Sequence, residues 1–231
     1  MANLHPKGVN HLAIATRDMK AQLAFWTDVM GCPMVSLYRM HGVPGAYHGF
    51  VELSPYSYVA FVYHPDNPKD PVQGISHAGN GISPVTAGAT QHVALHVDTF
   101  EDVLEMRDRI RSRGVHAVGP VDHGFVKSIY FAGPEGLSLE ICCGDHIDPR
   151  DWIDAEVVAA CDISPDLLEQ MKAPEAFEKP SEPIPQPPVD THADAPRMMY
   201  SERAYAKLMT MPDEHVWETM SEAEPPNPRP E

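Results

Sequence analysis

Two histidines occupy matching places in this chain. His11 opens the run His11-Leu-Ala-Ile-Ala-Thr-Arg-Asp18, and His92 opens His92-Val-Ala-Leu-His-Val-Asp98. Both runs read histidine, apolar, alanine, apolar, and both close on an aspartate. A single histidine on a strand is usually a hydrogen-bonded structural residue, whereas two at equivalent positions of a repeat are candidates for one shared task. Imidazole nitrogen binds first-row metals. A third candidate ligand is Glu140, set between Leu139 and Ile141, where burying a carboxylate is costly unless a cation compensates it. Two imidazoles and one carboxylate on one face of a metal leave positions open for a substrate and dioxygen. Tyr130, ten residues before Glu140, and His123, in Val121-Asp-His-Gly-Phe125, are side chains able to donate or accept a proton nearby, as is His48 in the first repeat. His96 shares a strand face with His92 but stands four residues further on, too far to join it on one metal, and is read as structural. His64, His77, His116, His146, His192 and His215 are read as solvated or loop residues.

These side chains need elements that position them. Each histidine run is short and β-prone, and each is followed by a helical pattern: Met19 to Met30 with apolar Leu23, Phe25, Trp26, Val29 and Met30, then Phe100 to Arg113 with Val103, Leu104, Met106 and Ile110. The helices end at Gly31 and Gly114, the residue type that best closes a helix C-terminus. Three strand candidates follow in each copy. They are Met34 to Tyr38, Tyr47 to Leu53 and Tyr58 to Tyr63, then His116 to Gly119, Ser128 to Phe131 and Leu137 to Cys142. The expected fold class is α+β: two βαβββ modules over 7–66 and 90–145, joined by a connector over 67–89, which could place their sheets side by side around a cleft.

Residues 146–231 form a C-terminal extension of a different character. Seven prolines fall between Pro174 and Pro196, which predicts an extended tether. Met198 to Met209 beyond it is a candidate amphipathic helix. From Ile147 onward there are 19 acidic against 7 basic residues, a net of −12 out of the chain's −16. That charge argues against non-specific nucleic-acid binding, and its location suits an arm that docks on the core or on a neighbouring subunit of a homo-oligomer. No run of about 18 apolar residues exists and the first residues lack a signal-peptide pattern, so no membrane association and a cytoplasmic location are expected. The four cysteines, Cys32, Cys142, Cys143 and Cys161, show neither metal-site nor disulfide-scaffold spacing.

The repeated module, the starts Asn10-His11-Leu-Ala-Ile and Gln91-His92-Val-Ala-Leu, and the ending Ser128-Ile-Tyr-Phe-Ala-Gly-Pro-Glu-Gly-Leu-Ser-Leu-Glu140 resemble the vicinal oxygen chelate superfamily. That group includes glyoxalase I, extradiol ring-cleavage dioxygenases, methylmalonyl-CoA epimerase, and fosfomycin- and bleomycin-resistance proteins. The resemblance covers about residues 7–145 and implies that the two modules form an open β-cup around a metal site. It implies metal ligands at the first strands, His11 and His92, and at the last strand of the second module, Glu140. The fourth family position falls near Ala60 in Tyr58-Val-Ala-Phe-Val62, and alanine cannot bind a metal. Such a three-ligand set is closest to the extradiol dioxygenases, which implies Fe(II), with Mn(II), Zn(II), Ni(II) or Co(II) as the other ions such a site takes, and a small catecholic substrate cleaved with O2. Tyr130 then matches a tyrosine that hydrogen-bonds substrate. The family's acid/base histidine is expected just before Val59, where Tyr56-Ser-Tyr58 stands instead, leaving His123 and His48 as the catalytic candidates. A glyoxalase-like lyase or isomerase, or a fosfomycin-resistance-like thiol transferase, is the alternative. A drug-binding resistance protein is disfavoured, because a binder has no need of three metal-binding side chains.

Overall fold

The computed structural model describes residues 4–144, 148–189 and 196–227, so His146 and His192 lie outside the described residues. The first repeat builds β1 (His11–Thr16), α1 (Met19–Ala24), β2 (Met34–Arg39), β3 (Tyr47–Ser54) and β4 (Ser57–Tyr63). The second builds β5 (Val93–His96), α2 (Phe100–Ser112), β6 (Ala117–Asp122), β7 (Val126–Ala132) and β8 (Ser138–Gly144). Each module makes its own four-stranded sheet, ordered β1-β4-β3-β2 and β5-β8-β7-β6. The first strand runs parallel to the last in both sheets, and the other pairings are antiparallel. The two sheets are therefore copies of one topology.

Strand alternation decides which side chains reach solvent. Along β1, His11, Ala13 and Ala15 are exposed, while Leu12, Ile14 and Thr16 turn inward. Along β5, Ala94 and His96 are exposed and Leu95 is buried. This period of two places the chemistry-bearing residues on the face opposite the core. The inward faces pack with the helices in one apolar cluster that draws on both modules, including Trp26, Val51, Val59 and Phe61 from the first and Val103, Ile110, Ile129, Leu139 and Ile141 from the second. Full burial of side chains of this size is worth roughly 1.5–3 kcal/mol each. The expected first helix, Met19 to Met30, is not uniform. After Ala24 it widens into a π-helical stretch over Phe25–Val29, closed by Met30 N–H donating to the Phe25 carbonyl at 3.2 Å. The wider turn lets Trp26, Val29 and Met30 all face the core.

The second module grips the first helix at both ends. At the N-terminus the Glu135 carboxylate accepts hydrogen bonds from Thr16 Oγ1 (2.6 Å), Arg17 N–H (2.7 Å) and Gln22 Nε2 (2.8 Å). Glu135 holds a left-handed φ of 55°, unusual for a residue with a side chain. Just past the C-terminal end, Arg109 of α2 donates from Nε to the Val29 carbonyl and from Nη2 to the Asp28 carbonyl, both at 2.8 Å. Its guanidinium lies 3.0 Å from where a Cβ on Gly31 would sit, and Gly31 has φ 81°, so both space and backbone require glycine there. An anion at the start of a helix and a cation at its end both match the macrodipole.

Contacts divide the chain into two compact units. One comprises Pro6–Arg39 with Gly45–Pro174. It holds both sheets and two helices that the sequence reading did not anticipate, α3 (Ala155–Ala160) and α4 (Pro165–Lys172). The other comprises Met1–His5, Met40–Pro44 and Glu175–Glu231. Within it lie α5 (Glu202–Met209), four residues shorter at its start than the expected Met198 to Met209, and the unanticipated α6 (Asp213–Met220). His41 pairs there with Glu222 at 3.0 Å. Among the described residues no helix is long and apolar enough to cross a membrane.

Candidate metal centre

Register makes the repeat explicit at the level of single residues. Ala94 of β5 stands opposite Glu140 of β8, and Glu140 opposite Tyr130 of β7. In the first sheet Ala13 stands opposite Ala60, and Ala60 opposite Phe50. Ala60 is thus the counterpart of Glu140, Phe50 of Tyr130, and His48 of Ser128, since these last two pair with Val62 and Cys142 respectively.

In the second module the chemistry gathers tightly. His92 Nε2 lies 3.0 Å from Glu140 Oε2, and Glu140 is only 4% exposed. The side-chain oxygen of Gln91 meets His92 Nδ1, which fixes that nitrogen as the N–H donor and leaves Nε2 with a lone pair facing the carboxylate. Two lone-pair atoms so placed repel unless a proton or a cation lies between them. Ligand atoms about 2.1 Å from a common ion, at right angles, are themselves about 3 Å apart, so this pair fits a divalent metal. The His92 ring meets the Tyr130 ring edge-on at 6.3 Å. The Tyr130 hydroxyl is 2.8 Å from His123 Nε2. Burial, and then the Glu140 charge, push the Tyr130 hydroxyl above the ordinary phenol range, so it remains protonated at neutral pH. Burial and then Glu140 also push the Cys142 thiol up to about 11.

The first module presents a different surface. His11 is exposed, with Nδ1 2.9 Å from the Asn10 side-chain oxygen and its ring edge-on to Phe50 at 5.7 Å. His48 packs edge-on against Phe50 at 5.1 Å and Tyr38 at 5.9 Å, and Tyr38 stacks on Phe50 at 6.1 Å. Burial, and then the neighbouring His11, hold the His48 imidazole below its ordinary value, and its Nε2 is buried with no hydrogen-bond partner. Among the described residues no three His, Cys, Asp or Glu side chains come together as a metal-holding group. The fold brings together His92, Glu140, Tyr130 and His123, and separately His11 and His48. It does not unite the two sets within one chain.

Sequence reasoning missed Asn10 and Gln91 as partners of the two histidines, although an amide residue precedes each in the repeated starts. The connector was read only as a linker, yet its Gly81 lies against Tyr130: a Cβ there would be 3.4 Å from the tyrosine ring. A cavity of about 550 Å³ runs beside the site, with Thr16, Arg17, His77, Gln91, His92 and Glu135 among its walls. That volume is in the range of small-molecule pockets.

Residues 8–141 match the Glyoxalase/Bleomycin resistance protein/Dioxygenase superfamily, and the chain belongs to that superfamily, whose members typically bind a divalent metal. Among solved structures, the glyoxylase/bleomycin resistance protein/dioxygenase domain from Frankia sp. EAN1pec is 15% identical, with a TM-score of 0.50 over 61% of this chain and 100% of that one. Among curated proteins, biphenyl-2,3-diol 1,2-dioxygenase 2 of Rhodococcus globerulus is 30% identical over 76 residues, 32% of this chain and 40% of the relative. Metapyrocatechase of Pseudomonas sp. (strain CF600) is 36% identical over 67 residues, 28% of this chain and 22% of the relative. The matched stretches span less than half the length of these two relatives.

Proposed function

We propose that this protein is a non-haem Fe(II) dioxygenase that cleaves a small catecholic ring, working as a cytoplasmic homo-oligomer in which His92 and Glu140 of one copy and His11 of a second hold the metal. The observation that carries the reading is the buried His92–Glu140 pair, spaced for a shared cation and bordered by the Tyr130–His123 hydrogen bond. Two of the relatives matched by sequence are biphenyl-2,3-diol 1,2-dioxygenases by name. His11 lies on an exposed strand face, and a second copy seated on the β7–β8 face of the first would bring His11, His48 and Phe50 over the His92–Glu140 pair together. A symmetric dimer makes two such sites.

Bound iron supplies the redox chemistry that joins a diol to dioxygen, with both oxygen atoms entering the ring-opened product and no external reductant consumed. The chain's own residues do the rest. The Tyr130 hydroxyl, held protonated, donates a hydrogen bond to a substrate oxygen. With its Nε2 carrying the hydrogen, His123 donates to the Tyr130 oxygen at 2.8 Å and so orients the phenol toward substrate. His48, uncharged at neutral pH because burial disfavours the imidazolium, is the acceptor for a diol proton. The aromatic surface of Phe50 and Tyr38 offers a planar substrate ring a face to stack on.

The test is oxygen-electrode measurement of iron-loaded protein against a panel of catechols, with appearance of a yellow ring-opened product. Tyr130→Phe should lower turnover on the order of 10²–10⁴-fold at unchanged metal content. No oxygen uptake across the panel, together with turnover of a hemithioacetal or an epoxide under nitrogen, would transfer the protein to the lyase or thiol-transferase branch.

A further inference from the structure

Gln91 does two things with one side chain. Its Oε1 accepts from His92 Nδ1. Its Nε2 donates to the Asn80 carbonyl at 2.9 Å and to the Ser83 carbonyl at 3.3 Å. The segment between those carbonyls is a tight turn made by Asn80 itself, whose Oδ1 accepts from Ile82 N–H at 3.0 Å and Ser83 N–H at 2.9 Å. The turn carries Gly81, which lies against the Tyr130 ring. One amide therefore links the imidazole that faces Glu140 to the stretch of connector that walls off Tyr130. The first module supplies the comparison: Asn10 occupies the equivalent place and meets His11 Nδ1 through its side-chain oxygen in the same way.

We propose that Gln91 is a positioning residue that sets His92 and the Asn80–Ser83 turn as a unit, so that the connector is a specificity wall of the active site and not a passive link. The proposal rests on the metal reading for its first half and is independent of it for the second. The physical reason is the behaviour of histidine ligands: the partner on one ring nitrogen fixes the tautomer and ring plane, and hence the direction of the lone pair on the other. A glutamine can accept for the ring and still offer two N–H donors to the turn. With Gly81 against Tyr130, any shift of the turn changes the space beside the phenol where a substrate would lie.

Two variants separate the two halves. Gln91→Leu removes acceptor and donors together; Gln91→Glu keeps an acceptor for His92 Nδ1 and removes both donors. Mn(II) affinity of the full chain is measured by titration with detection of free Mn(II), and amide hydrogen exchange is followed over residues 79–84. For Gln91→Leu we expect affinity to fall roughly 10–100-fold and exchange over 79–84 to rise. For Gln91→Glu we expect affinity within a few-fold of the parent and the same rise in exchange, a rescue that a merely structural role would not give. Equal loss of affinity in both variants would overturn the role at His92. Unchanged exchange over 79–84 in both would overturn the role at the wall. A parent protein that binds no Mn(II), and no other divalent ion, would sink the metal reading itself, while the exchange measurement still decides whether Gln91 holds the turn.

Discussion

The two modules share one backbone plan and present opposite chemistry at matching positions. The second carries a buried carboxylate, a phenol and a serine where the first carries Ala60, Phe50 and His48. One half is polar, with an imidazole and a carboxylate 3.0 Å apart. The other is aromatic, with one histidine at its rim and another sunk among rings. A duplicated fold thus leaves each copy free to specialise, because the core-facing residues of every strand keep the structure while the alternate residues change function. Neither face alone has the complement of an active site. Together they have the ligand set, the proton-transfer groups and the ring surface that the proposed reaction calls for.

The contrast is broken most completely at Glu140. Glu140→Ala turns the second face into a copy of the first at that register position, and metal affinity should fall on the order of 100-fold or more, beyond what loss of an outer partner costs. Ala60→Ser, the comparable small change in the other module, should leave metal content unchanged in elemental analysis. Retention of stoichiometric metal by Glu140→Ala would remove the carboxylate from the ligand set.

Whether the faces meet across two copies is decided by mixing. His11→Ala and Glu140→Ala chains, each deficient in metal alone, form half their dimers as hybrids after co-refolding in equal amounts, and each hybrid has one intact site of two. About a quarter of parental metal binding should return. No recovery in a mixture proved to contain hybrids would place all three ligands within one chain.

Much of this organisation was legible in the residues. The period-two runs after His11 and His92, the glycines closing both helices and the Ala132-Gly-Pro-Glu-Gly136 turn were enough to lay out both modules, because local backbone preferences and the hydrophobic pattern agreed there. The pairing of His92 with Glu140 was also within reach. Separation of His11 from that pair was not, since the sequence records which face a side chain takes and not which module packs against which. Gln91 escaped for a related reason: its hydrogen bonds run to carbonyls of a turn with no periodicity. The helices α3 and α6 are short and mostly exposed, so their apolar spacing carries little signal.

A smaller effect is expected at Glu135, where the turn between β7 and β8 meets the first helix. Glu135→Ala removes the acceptor for three donors, and partial exposure discounts the loss to about 1–3 kcal/mol, read as a lower midpoint in chemical denaturation. The hydrogen bonds from Thr16, Gln22 and Arg17 hold the Glu135 carboxyl below the usual carboxylate range even though burial raises it. Its contribution is therefore present at neutral pH and lost as pH falls through that lowered value. The Ala variant should lack this acid-side loss, so the stability difference between parent and variant should shrink as pH falls below the ordinary Glu value of about 4.3.

The smallest change concerns His48. With its native value held below the ordinary one, the unfolded chain takes up the proton first as pH falls, so the parent loses stability from near pH 6.5 downward until the native imidazole also protonates. His48→Gln should flatten that slope below about pH 6.5. An identical slope in both proteins would show that the imidazole in the aromatic face titrates as freely as one in water.

The grip of the second module on α1 has a consequence for how the halves depend on each other. Thr99 and Asp102 close the start of α2 with a reciprocal capping box, using only residues of their own module. The first helix has Asp18 at its start, but it takes Glu135 there as well and Arg109 beyond its far end. Cut at the connector, the two fragments would lose different things: the N-terminal piece gives up a carboxylate and a guanidinium at its helix ends, while the C-terminal piece keeps its capping box but loses Asp28, which pairs at 3.3 Å with Arg113 at the end of α2. Each half of this duplicated chain leans on the other, and does so through residues that have no counterpart in its twin.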